Sequence, residues 1–187
     1  MDEQFINKPK FDIKSFFKKN KIKIFLIVAI IVVSTIILIV LEEHKTRKNI
    51  DISENYNKAK ILIENKNPKE ALKILEEIIL QKNSFYSPSA LNLIIDNNLI
   101  KDKKKILSYY DQIILDTTLD LETKNLFIFK KIVFIGDEIE ESELLNNLKP
   151  IINSNSLLKN IVLDYIKKYY LSKGEIKKAQ EFKSKTN

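Results

Sequence analysis

From Ile24 to Leu41 the chain reads IFLIVAIIVVSTIILIVL, with no charge, no Gly and no Pro. Eighteen such residues form a helix about long enough to cross the hydrocarbon core of a bilayer. Ile22 extends the run, and Lys23 can lay its stem along the apolar surface while its charge reaches water. In lipid every backbone polar group must be satisfied within the segment, which a helix does. The pattern predicts a transmembrane helix over residues 22–41. A cleaved signal peptide shares the basic front, but the run exceeds a usual h-region, and Leu41-Glu42-Glu43-His44 offers no small-x-small cleavage site. A buried helix of a soluble domain rarely stays apolar on all faces for this long. The better reading is an uncleaved signal anchor.

After the anchor the pattern changes from continuous to periodic. Residues 42–52, EEHKTRKNIDI, are polar and read as a juxtamembrane continuation or linker. Ser53 is placed to cap a helix running to about Asn65, with Tyr56, Ala59, Leu62 and Ile63 on one stripe. Asn67-Pro68 breaks it, and Pro68 suits the first turn of the next helix, which carries Ala71, Leu72, Ile74, Leu75, Ile78 and Ile79. Ser84 to Pro88 starts a helix with Leu91, Ile94 and Ile95. Asn97, Asn98 and the Lys101–Lys105 run mark a break before Ile106, Leu107, Tyr110, Ile113 and Ile114. Glu122 to Ile135 is apolar on most sides, as expected of a helix in the middle of a stack, and Gly136 is placed to end it. Ser142 begins a helix that Pro150 is expected to kink or shorten. Leu157 to Leu171 forms another, Ser172-Lys173-Gly174 a turn, and Glu175 to Lys185 the last.

Composition sharpens this picture. The chain of 187 residues has only two Gly, Gly136 and Gly174. So little Gly leaves scant material for tight hairpins or phosphate-cradling loops, which favours an all-α fold. The absence of Cys excludes disulfides, thiolate chemistry and Cys-based zinc sites. Of the net charge of +7, residues 1–23 hold +4, leaving +3 for everything else. The basic excess thus sits at the membrane, where it can contact anionic headgroups. Arg47 is the only Arg, although Arg is the preferred residue for phosphate and base contacts, so no nucleic-acid partner is expected.

The breaks recur at about 35 residues, the signature of stacked helical hairpins. Ala71, Ile106, Leu144 and Ala179 correspond in the second helices, followed by Leu75, Tyr110, Leu148 and Lys183, then Ile78, Ile113, Ile151 and Thr186. In the first helices Ala59, Ile94, Ile132 and Lys167 correspond. Tyr170-Leu171-Ser172-Lys173-Gly174-Glu175-Ile176-Lys177-Lys178-Ala179 resembles the tetratricopeptide hairpin, in which an aromatic, a Gly-acidic turn and a small residue recur at this spacing. Ala59, Leu62, Asn67-Pro68 and Ala71 look like a weaker copy. The whole chain resembles the bacterial family of the ancillary subunit of the Sec translocon. That resemblance implies a basic cytoplasmic tail (1–21), a transmembrane helix (22–41), a juxtamembrane linker (42–52) and a tetratricopeptide-like domain (53–187) in the periplasm. Its implied partners are Sec translocon subunits, periplasmic chaperones or client segments.

Catalytic chemistry is hard to find. His44 is the only His and lies in a polar stretch. No His-Glu-x-x-His, phosphate-binding Gly loop or nucleophile paired with a His occurs. Acid pairs exist at Glu76-Glu77 and between Asp137 and Glu143. They would serve a glycan hydrolase only if burial raised one pKa, and their placement on polar faces reads as solvated surface. No enzyme activity, cofactor or metal is expected. Registered on the tetratricopeptide pattern, the inner face of the hairpins carries Tyr56 and Lys60, Leu91 and Ile95, Phe129 and Val133, and Asp164 and Lys168. Its apolar middle suits an apolar segment of a partner protein; equally, those residues can pack against the chain's own helices. The expected function is protein binding that assists secretion or envelope protein folding. The alternative is a scaffold for an envelope complex that binds no client.

Lys8, Lys10, Lys14, Lys18, Lys19, Lys21 and Lys23 precede the apolar run, against Lys45, Arg47 and Lys48 just after it. This bias predicts a cytoplasmic N-terminus and an extracytoplasmic domain. A reporter active only in the cytoplasm, fused after Asn187, should be silent; activity there would reverse the orientation.

Overall fold

The computed structural model of the protein describes residues 13–182, which form eight helices and no strand. They are α1 (Ile13–Glu64), α2 (Pro68–Leu80), α3 (Tyr86–Asp96), α4 (Lys103–Ile114), α5 (Leu121–Ile135), α6 (Glu141–Ile152), α7 (Lys159–Ser172) and α8 (Ile176–Glu181), with a 3-10 turn at Gly136–Glu138. The chain divides between Ile50 and Asp51 into two units.

Among the described residues one helical stretch is long and apolar enough to cross a membrane, and none of its apolar window is buried. The helix is interrupted at Asn20, whose backbone is non-helical. Within the apolar run the Thr35 hydroxyl donates to the Ile31 carbonyl at 2.8 Å, so the polar side chain is satisfied inside its own helix. Just beyond the run, Arg47 pairs with Glu43 one turn back at 2.6 Å. Residues 42–52 are helical throughout, a continuation of the same helix. Ser53 therefore caps nothing, and its Oγ instead accepts from the Tyr86 hydroxyl at 2.8 Å.

In the second unit each helix from α2 onward packs against the next in sequence. The amphipathic stripes decide this. Every described residue at the aligned second-helix positions is buried: Ala71, Ile106, Leu144 and Ala179, then Leu75, Tyr110 and Leu148, then Ile78, Ile113 and Ile151. Ala59, Ile94 and Ile132 of the first helices are buried too, whereas Lys167 is exposed. Lys183 and Thr186 lie outside the described residues, as do residues 1–12 of the tail and the end of the last helix expected to reach Lys185.

The turns use recurrent backbone chemistry. After the first helix, Asn67 N–H reaches the Leu62 carbonyl and Lys66 N–H that of Ile63. The pairs Leu99 to Ile94 with Asn98 to Ile95, and Glu175 to Tyr170 with Gly174 to Leu171, repeat the pattern. Each is a Schellman turn closed by a left-handed residue: Lys66 at φ 58°, Asn98 at 50° and Gly174 at 77°. Gly136 ends α5 at φ 69°, ψ −140°, which no side-chain-bearing residue adopts cheaply. Polar side chains then tie positions about one period apart: Ser53–Tyr86, Asn92–Lys130, Lys103–Glu138, Glu122–Ser156 and Glu141–Lys178.

Some local expectations shift. Asp102 caps α4 by accepting from the N–H groups of Lys104 and Lys105, so the end of the Lys run is helix rather than break. Likewise Asp120 caps α5 through the Thr123 N–H at 2.9 Å. Pro150 neither breaks nor ends α6, which runs two residues past it. Pro68 does occupy the first turn of α2.

Ala71 has no exposed surface, so Ala71→Arg would bury an unpaired charge at a cost of roughly 3 kcal/mol or more. Thermal unfolding followed by circular dichroism should show the midpoint falling steeply. A mutant melting like its parent would mean that this helix packing is wrong.

Candidate functional site

The packing of α3, α4 and α5 leaves one apolar hollow partly open to solvent, of about 420 Å³. Only a narrow strip of α3 is available to it. Ser87, Pro88, Ala90, Leu91 and Ile94 are all buried on that short helix, leaving Asn92, Ile95 and Asp96 to line the space. From α5 come Leu126, Phe129, Lys130, Val133 and Phe134, and from α4 the buried Tyr110. Lys130 Nζ donates to Asn92 Oδ1 at 2.8 Å, joining the two helices at the rim, and sits 5.4 Å from the centre of the Phe127 ring. The hollow thus has apolar walls and a small polar rim of amide, carboxylate and ammonium.

Three of the residues expected on the binding face meet here: Ile95, Phe129 and Val133. Val133 is the most open, at 47% exposed. Phe129 is half-buried, its ring edge-on to Tyr165 at 5.4 Å. Leu91 does not belong with them. It is fully buried in the core, because α3 is gripped by both α2 and α4. Tyr56 and Lys60 on α1, and Asp164 and Lys168 on α7, do not line the hollow. Tyr56 is half-buried against Tyr86, ring centres 5.6 Å apart, while Lys60, Asp164 and Lys168 are exposed.

Asn92, Lys130 and Tyr110 are lining residues that the stripe pattern assigned no role on the surface. A signal existed for the first two. Lys130 and Lys131 interrupt an apolar stretch of α5 and need partners; Lys131 meets Asp111 and Lys130 meets an Asn about one period earlier.

Three of the clustered acids are engaged in ion pairs. Glu76 meets Lys105 at 2.6 Å and Glu138 meets Lys103 at 2.6 Å. Glu141 accepts from Lys178 and from the Tyr170 hydroxyl, and these two bonds hold its carboxyl below the usual range. A general acid needs the opposite shift. Among the described residues no three His, Asp or Glu side chains are grouped so as to hold a metal ion.

No protein-family model matches this chain, and no curated protein or solved structure matches it at a significant level. The likeness to the Sec ancillary subunit therefore stands on the residues quoted above alone.

Burial, reinforced by Asp96, pushes the Tyr110 hydroxyl up to about 12. Burial and the bond to Glu141 push Tyr170 to about 12 as well. A raised folded pKa means that the neutral form is favoured by folding. The associated stability is complete below the unfolded value near 10 and is lost as pH rises toward 12. Denaturant unfolding should show stability falling through that window, and Tyr110→Phe should flatten the fall. An equal slope in the mutant would show that Tyr110 ionises freely.

Proposed function

We propose that the chain is a single-pass membrane protein whose helical domain binds apolar segments of other proteins on the side of the membrane opposite the basic tail. On the family resemblance, the setting is the periplasmic face of a bacterial inner membrane beside the Sec translocon, and the role is to assist secretion or envelope protein folding. The observation that supports this most directly is the hollow between α3 and α5. Ile95, Phe129 and Val133 give it apolar walls, and Asn92, Asp96 and Lys130 a polar rim. An unfolded segment carries apolar side chains together with unsatisfied backbone N–H and C=O groups. Apolar walls take the former and a rim holding both donors and acceptors takes the latter. A folded, wholly polar partner would use neither. The apolar anchor in the same chain would hold such a site close to where segments emerge from a membrane.

A photocrosslinker in place of Val133 in the full chain, in intact cells, should capture translocon subunits or secreted chains in transit. One in place of the exposed Gln112 should not. Capture of a single stoichiometric partner outside the secretion machinery would favour the scaffold role, and equal capture from both positions would remove the hollow as a binding site. Phe129→Ser is the weaker probe, because loss of its contact with Tyr165 should itself cost about 1–3 kcal/mol of stability.

A further inference from the structure

The two edges of the helical domain differ in chemistry. Consecutive helices run antiparallel, so alternate turns share an edge. The turns α1–α2, α3–α4, α5–α6 and α7–α8 lie on one, the last three tied together by Lys103–Glu138 at 2.6 Å and by Lys173 to the Asp137 carbonyl at 3.4 Å. Their exposed residues are polar: Lys66, Asn98, Lys101, Asp137 and Lys173 among them. Leu171 and Ile176, flanking the last of these turns, and Ile61, in the last turn of α1, are exceptions.

The turns α2–α3, α4–α5 and α6–α7 lie on the other edge, where Ser156 donates to Glu122 at 2.9 Å. They present Leu80 and Phe85, then Leu115 and Leu121, then Leu157, each between 64% and 87% exposed. Scattered exposed apolar residues are ordinary. Large ones at the tips of all three turns on one edge are not, since turns normally carry the polar residues. The acids of this edge accept hydrogen bonds from neutral groups within it and keep their charge. Asp116 accepts from the Thr118 N–H, Asp120 from Thr123, and Glu122 from Ser156. Lys82 and Lys159, beside Phe85 and Leu157, are exposed.

This is also the edge at which the chain enters the domain. Ser53, near the start of the second unit, bonds Tyr86 at the head of α3. Only residues 42–50 separate the apolar run from the domain, and even fully extended they reach about 30 Å. We propose that the apolar turn edge docks on the bilayer surface, Leu80, Phe85, Leu115, Leu121 and Leu157 entering the acyl boundary while Lys82, Lys159 and the edge's carboxylates stay at headgroup level. The inference rests on residues 22–41 spanning that bilayer. It is independent of what the hollow between α3 and α5 holds.

The absence of native Cys makes the test direct. The full chain, reconstituted in vesicles of zwitterionic and anionic phospholipid, would carry a single fluorophore through Leu115→Cys, Leu157→Cys, Asn98→Cys or Val33→Cys. Nitroxide-labelled lipid should quench positions 115 and 157 several-fold more than position 98, and aqueous iodide should do the reverse. Position 33 tests the anchor itself. If it escapes lipid quenching, the membrane span fails and the edge proposal falls with it. If 33 is quenched while 115 and 157 behave like 98, the span stands and the edge proposal is overturned. Shielding of 115 and 157 from iodide without lipid quenching would also overturn it, because a protein would then cover the edge.

Discussion

The domain depends on α5 being buried on two sides at once. One hydrophobic cluster runs from Ile52 to Phe127 and a second from Ile132 to Ala179. Phe127 closes the first and Ile132, little more than a turn later, opens the second. Tyr110 packs on both Phe127 and Phe134 of α5, ring centres 6.1 and 5.9 Å away. On another face Phe129 meets Tyr165 of α7. A helix so committed has little side left for solvent, and what remains is the strip carrying Lys130 and Val133. The hollow is a consequence of that commitment. α3 and α5 each turn a residual strip toward the other, and one Lys–Asn bond spans them rather than a close-packed interface.

How much of this was legible depended on whether one element or several decided the outcome. Stripe positions are set by each helix's own period, and Ala71, Leu75, Ile106, Leu144 and Leu148 are buried where the pattern put them. The amphipathic period also gave α5 its central place, because a helix apolar on most sides needs cover on most sides. Helix boundaries were harder. Ser53 looked like a cap, but nothing in the preceding polar residues stops a helix: Glu, Lys and Arg favour it, and α1 continues past them to Glu64. Asp102 outweighed the repulsion of the Lys run by taking two orphan N–H groups. Pro150 lies within α6 although its ring removes the bond that an N–H there would make to the Asn146 carbonyl; the flanking apolar positions, Leu148 and Ile151, are buried and hold the turn in place.

The candidate site was harder still, since it is a property of three helices. Leu91 and Ile95 share a stripe at i and i+4, and sequence cannot separate them. Only the grip of α2 and α4 on α3 seals the first and leaves the second half open. Tyr110 sits at a stripe position that marks it as core, and so it is, yet it also lines the hollow. The residue type predicted burial correctly but not that an adjoining gap would remain.

A chain so poor in Gly must still turn between every pair of helices. It places Lys66, Lys82 and Asn98 in left-handed conformations instead, at a cost of about 1 kcal/mol or more for each Lys relative to Gly. On the polar edge that strain buys Schellman closures in which Leu62 and Ile94 receive the returning N–H groups. The other edge gains no such compensation from its apolar tips. Burying a Leu or Phe side chain is worth about 1.5–3 kcal/mol, and Leu80, Phe85, Leu115, Leu121 and Leu157 forgo most of that in water. Polar replacements at Leu115 and Leu157, the most open of these tips, would sacrifice little packing. Their apolar character therefore contributes little to the fold of the isolated domain, and it would reach its full worth only with that edge covered.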